Sequence, residues 1–341
     1  WAQSPIPNPQ SPIPNPQHLF HFLSLIIINK IRKMKLKNEC MKLITINIFL
    51  CFINYQKFFN NKDSFAKTYV TKNKRKVQKI KTKLYQQDNL TIVSAYYIIK
   101  SKHSYEEYLQ RISSFVKLNQ SLVFFTEKKF ISLIKEMRPK NLHNKTVFIE
   151  IEMKDFYSNK TFGKEFNETF NLDWENYFQN VPLYLVWAEK CFFLKKAILN
   201  NYFNSTCFYW IDAGLFIQKD QINNYTNWPS IQKCLEDPRV IINSMRNVSD
   251  LEIEKLKNFD KIYYYKKFLH QPNVGAAVFG GRIEYTLKFI DLYENTLISF
   301  INHTFFIGKE QNLYAFIAYL HPEIVNLVYS GDWFYFLKYL S

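Results

Sequence analysis

The sequence predicts an α/β domain, a mostly parallel sheet flanked by helices, over residues 89–341, preceded by a disordered basic N-terminal arm that lacks a core. Three observations carry this reading. Apolar runs of strand length alternate with helical stretches from Leu90 onward, the charge divides sharply near residue 88, and the glycines gather beside polar residues at element boundaries.

Each element follows from its own residues. "TIVSAYYI" (Thr91–Ile98) reads as a buried strand and Ser104–Leu118 as a helix. "SLVFFT" (Ser121–Thr126) is a strand, Lys128–Met137 a helix, and Thr146–Glu152 another strand. Pro182 opens a long helix through about Leu199, since proline suits a first helical turn. "CFYWI" (Cys207–Ile211) follows as a fully apolar strand. Parallel strands need crossovers, and the intervening helices supply them. In such sheets ligands bind beyond the carboxyl ends of the strands. Asp212 stands at that end of "CFYWI", where its carboxylate escapes the cost of burial inside the strand. Gly214 leaves the backbone beside it open to a bulky group. A strand-end turn is the other role such an aspartate takes.

The arm differs in kind. Residues 1–88 hold 16 of the 45 Lys and Arg but 3 of the 29 Asp and Glu, so the folded part keeps a nearly balanced 29 against 26. That balance argues against nucleic acid as a partner, and anionic headgroups suit the arm better. "SPIPNPQ" occurs twice in tandem, and its prolines force an extended chain. Residues 1–33 read as a Pro-rich and apolar leader that need not be native, with Met34 or Met41 as natural starts. Residues 34–56 carry lysines and then the apolar run Leu43–Ile53, the pattern of a signal peptide or signal anchor, and 57–88 form a basic stem.

The five cysteines form no C-x-x-C pair, which excludes common zinc and dithiol sites. Their odd number and scattered spacing predict no disulfide framework, and Cys191 and Cys207 read as core. Glycosylation sequons begin at Asn89, Asn119, Asn144, Asn159, Asn167, Asn204, Asn224, Asn247 and Asn302, where composition alone would give about three. The expected location is a membrane-anchored protein of the secretory lumen, Golgi- or ER-like, in a eukaryote, and the cell envelope in a bacterium.

Six of the 7 glycines lie after residue 210, in "WIDAG", "NVGAAVFGG", "GKEQN" and "GDWF". Together with "LTIVSAYY" and "LYLVWAEK", these stretches resemble the HtrL/YibB family from about Leu90 to Leu340. The layout is similar to that of GT-A glycosyltransferases. The resemblance implies transfer of a sugar from a nucleotide-sugar donor to a glycan acceptor. A non-catalytic carbohydrate- or nucleotide-sugar-binding protein on the same fold is the alternative. By resemblance, Lys190, Asp212, Gly214, Asn273, Gly275, Asp332 and Trp333 bind the donor, and Glu310 and Gln311 face the reacting sugar. Trp187 and Glu189 lie on the same helix as Lys190. Asp212 matches the D-x-D motif that holds Mn²⁺ or Mg²⁺ against the donor diphosphate, but Gly214 replaces the second acid. Asp332 or His270 would then complete a metal site with Asp212.

Overall fold

The computed structural model describes residues 89–99, 104–218 and 220–341. The expected leader, signal segment and stem (1–33, 34–56 and 57–88) lie outside the described residues. Seven strands form one sheet: β1 (Leu90–Tyr96), β2 (Ser121–Thr126), β3 (Thr146–Glu150), β4 (Cys207–Ile211), β5 (Val240–Ser244), β6 (Val274–Arg282) and β7 (Val325–Tyr329). Their spatial order is β3-β2-β1-β4-β6-β5-β7. All pairings are parallel except those of β6, which runs antiparallel to both β4 and β5. The start of β6 therefore lies at the sheet edge where β4 ends.

Helices cover both faces. On one side lie α1 (Tyr105–Phe115), α2 (Lys128–Met137), the short α5 (Gln232–Glu236) and the C-terminal α10 (Tyr335–Tyr339). Their apolar side chains join Ile92, Phe124, Tyr209, Ile211 and Ile241 in one buried cluster. α1 starts where Ser104 and Glu107 cap each other's backbone N–H groups, at 3.2 and 2.7 Å.

On the other side lie α3 (Tyr157–Thr169), α4 (Val181–Asn200), α8 (Ile283–Asn302) and α9 (Glu310–Leu320). α4 begins where the Asn180 side chain accepts from Leu183 N–H at 3.0 Å, with Pro182 in the first turn. It is apolar over most of its circumference because sheet and helices enclose it. Phe193 of α4 stacks on Phe125 at 4.3 Å and on Trp210 at 6.3 Å, which fixes α4 against the strand that ends at Asp212. Two short helices, α6 (Asp250–Lys257) and α7 (Lys261–Lys266), connect β5 to β6.

One expectation is corrected. Cys207 is disulfide-bonded to Cys234, 27 residues away. No short motif marks the pair; the fold sets the start of β4 beside α5. Cys191 is a free, buried thiol, and burial pushes its pKa up. Among the described residues no helix is long and apolar enough to cross a membrane, and the Leu43–Ile53 run lies outside them.

Candidate active site

Three charged side chains far apart in sequence meet beyond the end of β4. The Lys190 ammonium lies 3.0 Å from Asp212 Oδ1 and 2.9 Å from Glu310 Oε1, and donates to Ala276 O at 3.3 Å. Trp210 Nε1 donates to Asp212 Oδ1 at 2.7 Å. Asp212 N–H donates to Ala277 O at 2.8 Å, which extends the β4–β6 ladder by one residue and fixes where the carboxylate emerges.

Burial is unequal. The side chains of Lys190 and Glu310 are 4% and 5% exposed, whereas Asp212 is 36% exposed. Burial alone would lower the Lys190 pKa; the Asp212 and Glu310 carboxylates outweigh it and raise it, so the ammonium is firmly charged. Burial raises the Glu310 pKa, against the pull of Lys190. The Lys190 ammonium thus stands between two carboxyl groups, of which Asp212 alone reaches the surface to a substantial extent. Its carboxylate cannot swing freely, because Lys190 and Trp210 hold it.

The remaining expected residues share this sheet edge but are held separately. Asn273 precedes β6 and is buried. Its Oδ1 accepts from Arg246 Nε at 2.9 Å and its Nδ2 donates to Phe268 O at 2.9 Å. Asp332 follows β7, and its carboxylate accepts from Phe334 N–H at 2.9 Å, closing a local turn. Its backbone carbonyl accepts from Asn243 Nδ2 at 2.7 Å. A Cβ on Gly275 would lie 3.6 Å from Trp333 Cε3, so Trp333 packs beside the strand segment lining Asp212. A Cβ on Gly214 would lie 3.6 Å from the Tyr108 ring of α1. Gln311 is partly buried, next to Glu310 in the first turn of α9. Trp187 is partly buried, its ring 5.9 Å from Tyr184. Glu189 serves the scaffold: its carboxylate accepts from Tyr157 N–H, Ser158 N–H and Ser158 Oγ, capping α3.

Sequence reasoning missed a second cluster beside the first. Lys309, the residue before Glu310, pairs with Asp173 at 3.0 Å and with Glu175. The Trp174 ring between these acids lies 5.2 Å from the Lys309 ammonium and 5.5 Å from the His270 ring. Trp174 is 50% exposed and Trp333 45%. The two indoles bracket the segment from His270 to Gly275. A tryptophan flanked by two acids in "LDWEN" was the available signal.

Arg246, which positions Asn273, is itself held by Glu252 at 3.2 Å. Burial would raise the Glu252 pKa; the Tyr263 hydroxyl, Ser249 and Arg246 together lower it from 4.5 to about 2. A depressed carboxylate stabilises the fold fully above its unfolded pKa, and that stabilisation fades as pH falls from 4.5 towards about 2. Glu252→Gln should therefore flatten the fall in melting temperature across that window. A profile identical to the wild type would show that Glu252 carries none of it.

A family model described as "Bacterial protein of unknown function (HtrL_YibB)" matches residues 88–341. The chain belongs to the HtrL/YibB family. No curated protein matches this HtrL/YibB chain in sequence. Among solved structures it is similar to core-mannan synthase A from Aspergillus fumigatus in its Mn/GDP form. The identity is 12%, the TM-score 0.40, and the match covers 71% of this chain and 73% of that one.

Among the described residues no group of three or more His, Cys, Asp or Glu side chains is arranged to hold a metal ion. The HtrL/YibB site offers a single half-exposed carboxylate, Asp212, already paired with an ammonium. That set does not make a closed protein cage. A divalent cation here would have Asp212 as its one protein carboxylate.

Proposed function

We propose that this HtrL/YibB protein is a glycosyltransferase that moves a sugar from a nucleotide-sugar donor to a glycan hydroxyl. The observation that carries the reading is the Lys190–Asp212–Glu310 cluster, two charges buried to hold a third at the sheet edge where α/β ligands bind. Its order and spacing of motifs resemble those of GT-A enzymes.

In the proposed reaction the acceptor oxygen attacks the donor's anomeric carbon. The bond from that carbon to the diphosphate oxygen breaks, the nucleoside diphosphate leaves, and the acceptor hydroxyl loses its proton. Asp212, fixed by Lys190 and Trp210, accepts from a donor hydroxyl or would supply the protein's ligand to a divalent cation, and Asp332, at the same sheet edge, is the second candidate by resemblance. When bound, such a cation neutralises charge on the leaving diphosphate. Glu310 acts by locking Lys190, and Gln311 is the amide available to a sugar hydroxyl in the first turn of α9. Asn273 and Gly275, both buried, support this edge from beneath, and Gly214 lets the chain after Asp212 pack against the Tyr108 ring. Trp333 and Trp174 present half-exposed rings on which the C–H face of a sugar can stack, Trp333 towards the donor and Trp174 towards the acceptor.

The alternative, a non-catalytic binder of the same ligands, is favoured by one observation, the glycine at position 214. A panel of uridine- and guanosine-diphosphate sugars separates the two. The proposal expects slow release of nucleotide in the presence of Mn²⁺, and faster release once a hexose acceptor is added. Trp174→Ala should raise the acceptor KM about tenfold, the effect of losing one stacking contact, and leave donor hydrolysis unchanged. Binding without turnover of any donor would favour the binder.

A further inference from the structure

Four of the nine sequons occupy one edge of the sheet. Asn89 immediately precedes β1, Asn119 lies two residues before β2, Asn144 two before β3, and Asn204 three before β4. These strands are neighbours in the order β3-β2-β1-β4 and all run parallel. Asn144, Asn119, Asn89 and Asn204 therefore stand side by side along the edge where the strands start. Asp212 and its cluster occupy the opposite edge. All four asparagines are exposed. Asn119 Nδ2 donates to Asn227 Oδ1 at 2.7 Å, a bond between two surface side chains. Elsewhere the pattern loosens: Asn159 is partly buried, and Asn247 follows β5 at the Asp212 edge.

A second observation bears on compartment independently. The Cys207–Cys234 disulfide joins the start of β4 to α5, and such bonds persist in oxidising lumenal or extracellular surroundings. That is also where asparagine-linked glycans are attached.

We propose that the strand-start edge is a glycan-bearing face, modified at Asn89, Asn119, Asn144 and Asn204. The side-chain nitrogen attacks the anomeric carbon of a lipid-diphosphate-linked oligosaccharide. A carbon–nitrogen bond forms, the carbon–oxygen bond to the diphosphate breaks, the lipid diphosphate leaves, and one amide proton is lost. Glycans there project away from the Asp212 cleft, so the face is decorated without obstruction of the site. The proposal is independent of the transferase reading, because occupancy is measured without any activity of the protein.

The test uses the full chain made in a eukaryotic secretory host. Peptide-N-glycosidase in heavy-oxygen water leaves a mass mark at each asparagine that carried a glycan. Marks are expected at all four positions. Asn89→Gln, Asn119→Gln and Asn144→Gln should each remove one step of gel mobility. Asn204 has φ 51°, so Asn204→Asp is the variant of choice, since aspartate tolerates that left-handed backbone. Absence of marks at the four positions, or marks confined to the other sequons, would overturn the proposal. So would free, alkylatable thiols at Cys207 and Cys234 in the same preparation.

Discussion

Lys190→Met should lower the melting temperature by roughly 10 °C. Removing one partner from a buried ion pair typically costs about 3–5 kcal/mol, and a domain of this size loses about 2–4 °C per kcal/mol. The mechanism is specific. Without the ammonium, Glu310 is left 5% exposed with no counter-charge, and Asp212 loses the group that holds it. Glu310 would then take up a proton rather than remain charged. The double variant Lys190→Met/Glu310→Met removes the orphaned acid and fills its space with apolar atoms. It should recover part of the loss, a coupling that two independent sites would not show. Melting curves of the two singles and the double check this. Additive losses would mean that the trio is not the energetic unit described here.

Gly280→Ala should yield little or no folded protein. Gly280 lies in the middle of β6 with φ 154°, and a Cβ there would sit 2.1 Å from Phe208 O and 2.7 Å from Tyr209 Cα. Both obstacles are backbone of β4, so no side chain can move aside. Relief would require β4 and β6 to part, and that pairing positions Asp212 against Ala277. Gly275→Ala is the control, because its new Cβ meets nothing closer than 3.6 Å and its backbone is unstrained. Soluble yield and far-ultraviolet circular dichroism should separate the two variants. Equal folding would show that β6 adapts where the packing says it cannot.

What the sequence disclosed, and what it hid, divides along physical lines. The bounds of "SLVFFT", "KKFISLIKEM" and "CFYWI" match the observed elements because each is a short apolar or amphipathic run with polar stops. Asp212 was legible as an emerging carboxylate because a charge at the end of such a run has one low-cost exit. Lys190 and Glu310 were each named from motif resemblance, but their contact was not, since 120 residues separate them and only the packing of α4 beside α9 closes the gap. Asn273 and Asp332 sit at the expected sheet edge, yet their side chains serve Arg246 and a local turn, which spacing alone does not reveal. The Cys207–Cys234 bond and the partner of Trp174, Lys309, were hidden for the same reason, although "LDWEN" marked Trp174 itself. They depend on loops whose paths are set by the assembled sheet.

The central claim is that Asp212 is a rigidly presented ligand-binding carboxylate. Calorimetric titration of wild-type and Asp212→Asn protein with nucleotide sugars, in the presence of Mn²⁺, tests it most directly. Asp212 is half-exposed, so the variant should fold, and loss of one charge-assisted contact should weaken donor binding about 10- to 100-fold. Unchanged donor affinity in a folded Asp212→Asn protein would contradict the claim and return this aspartate to the role of a strand-end turn.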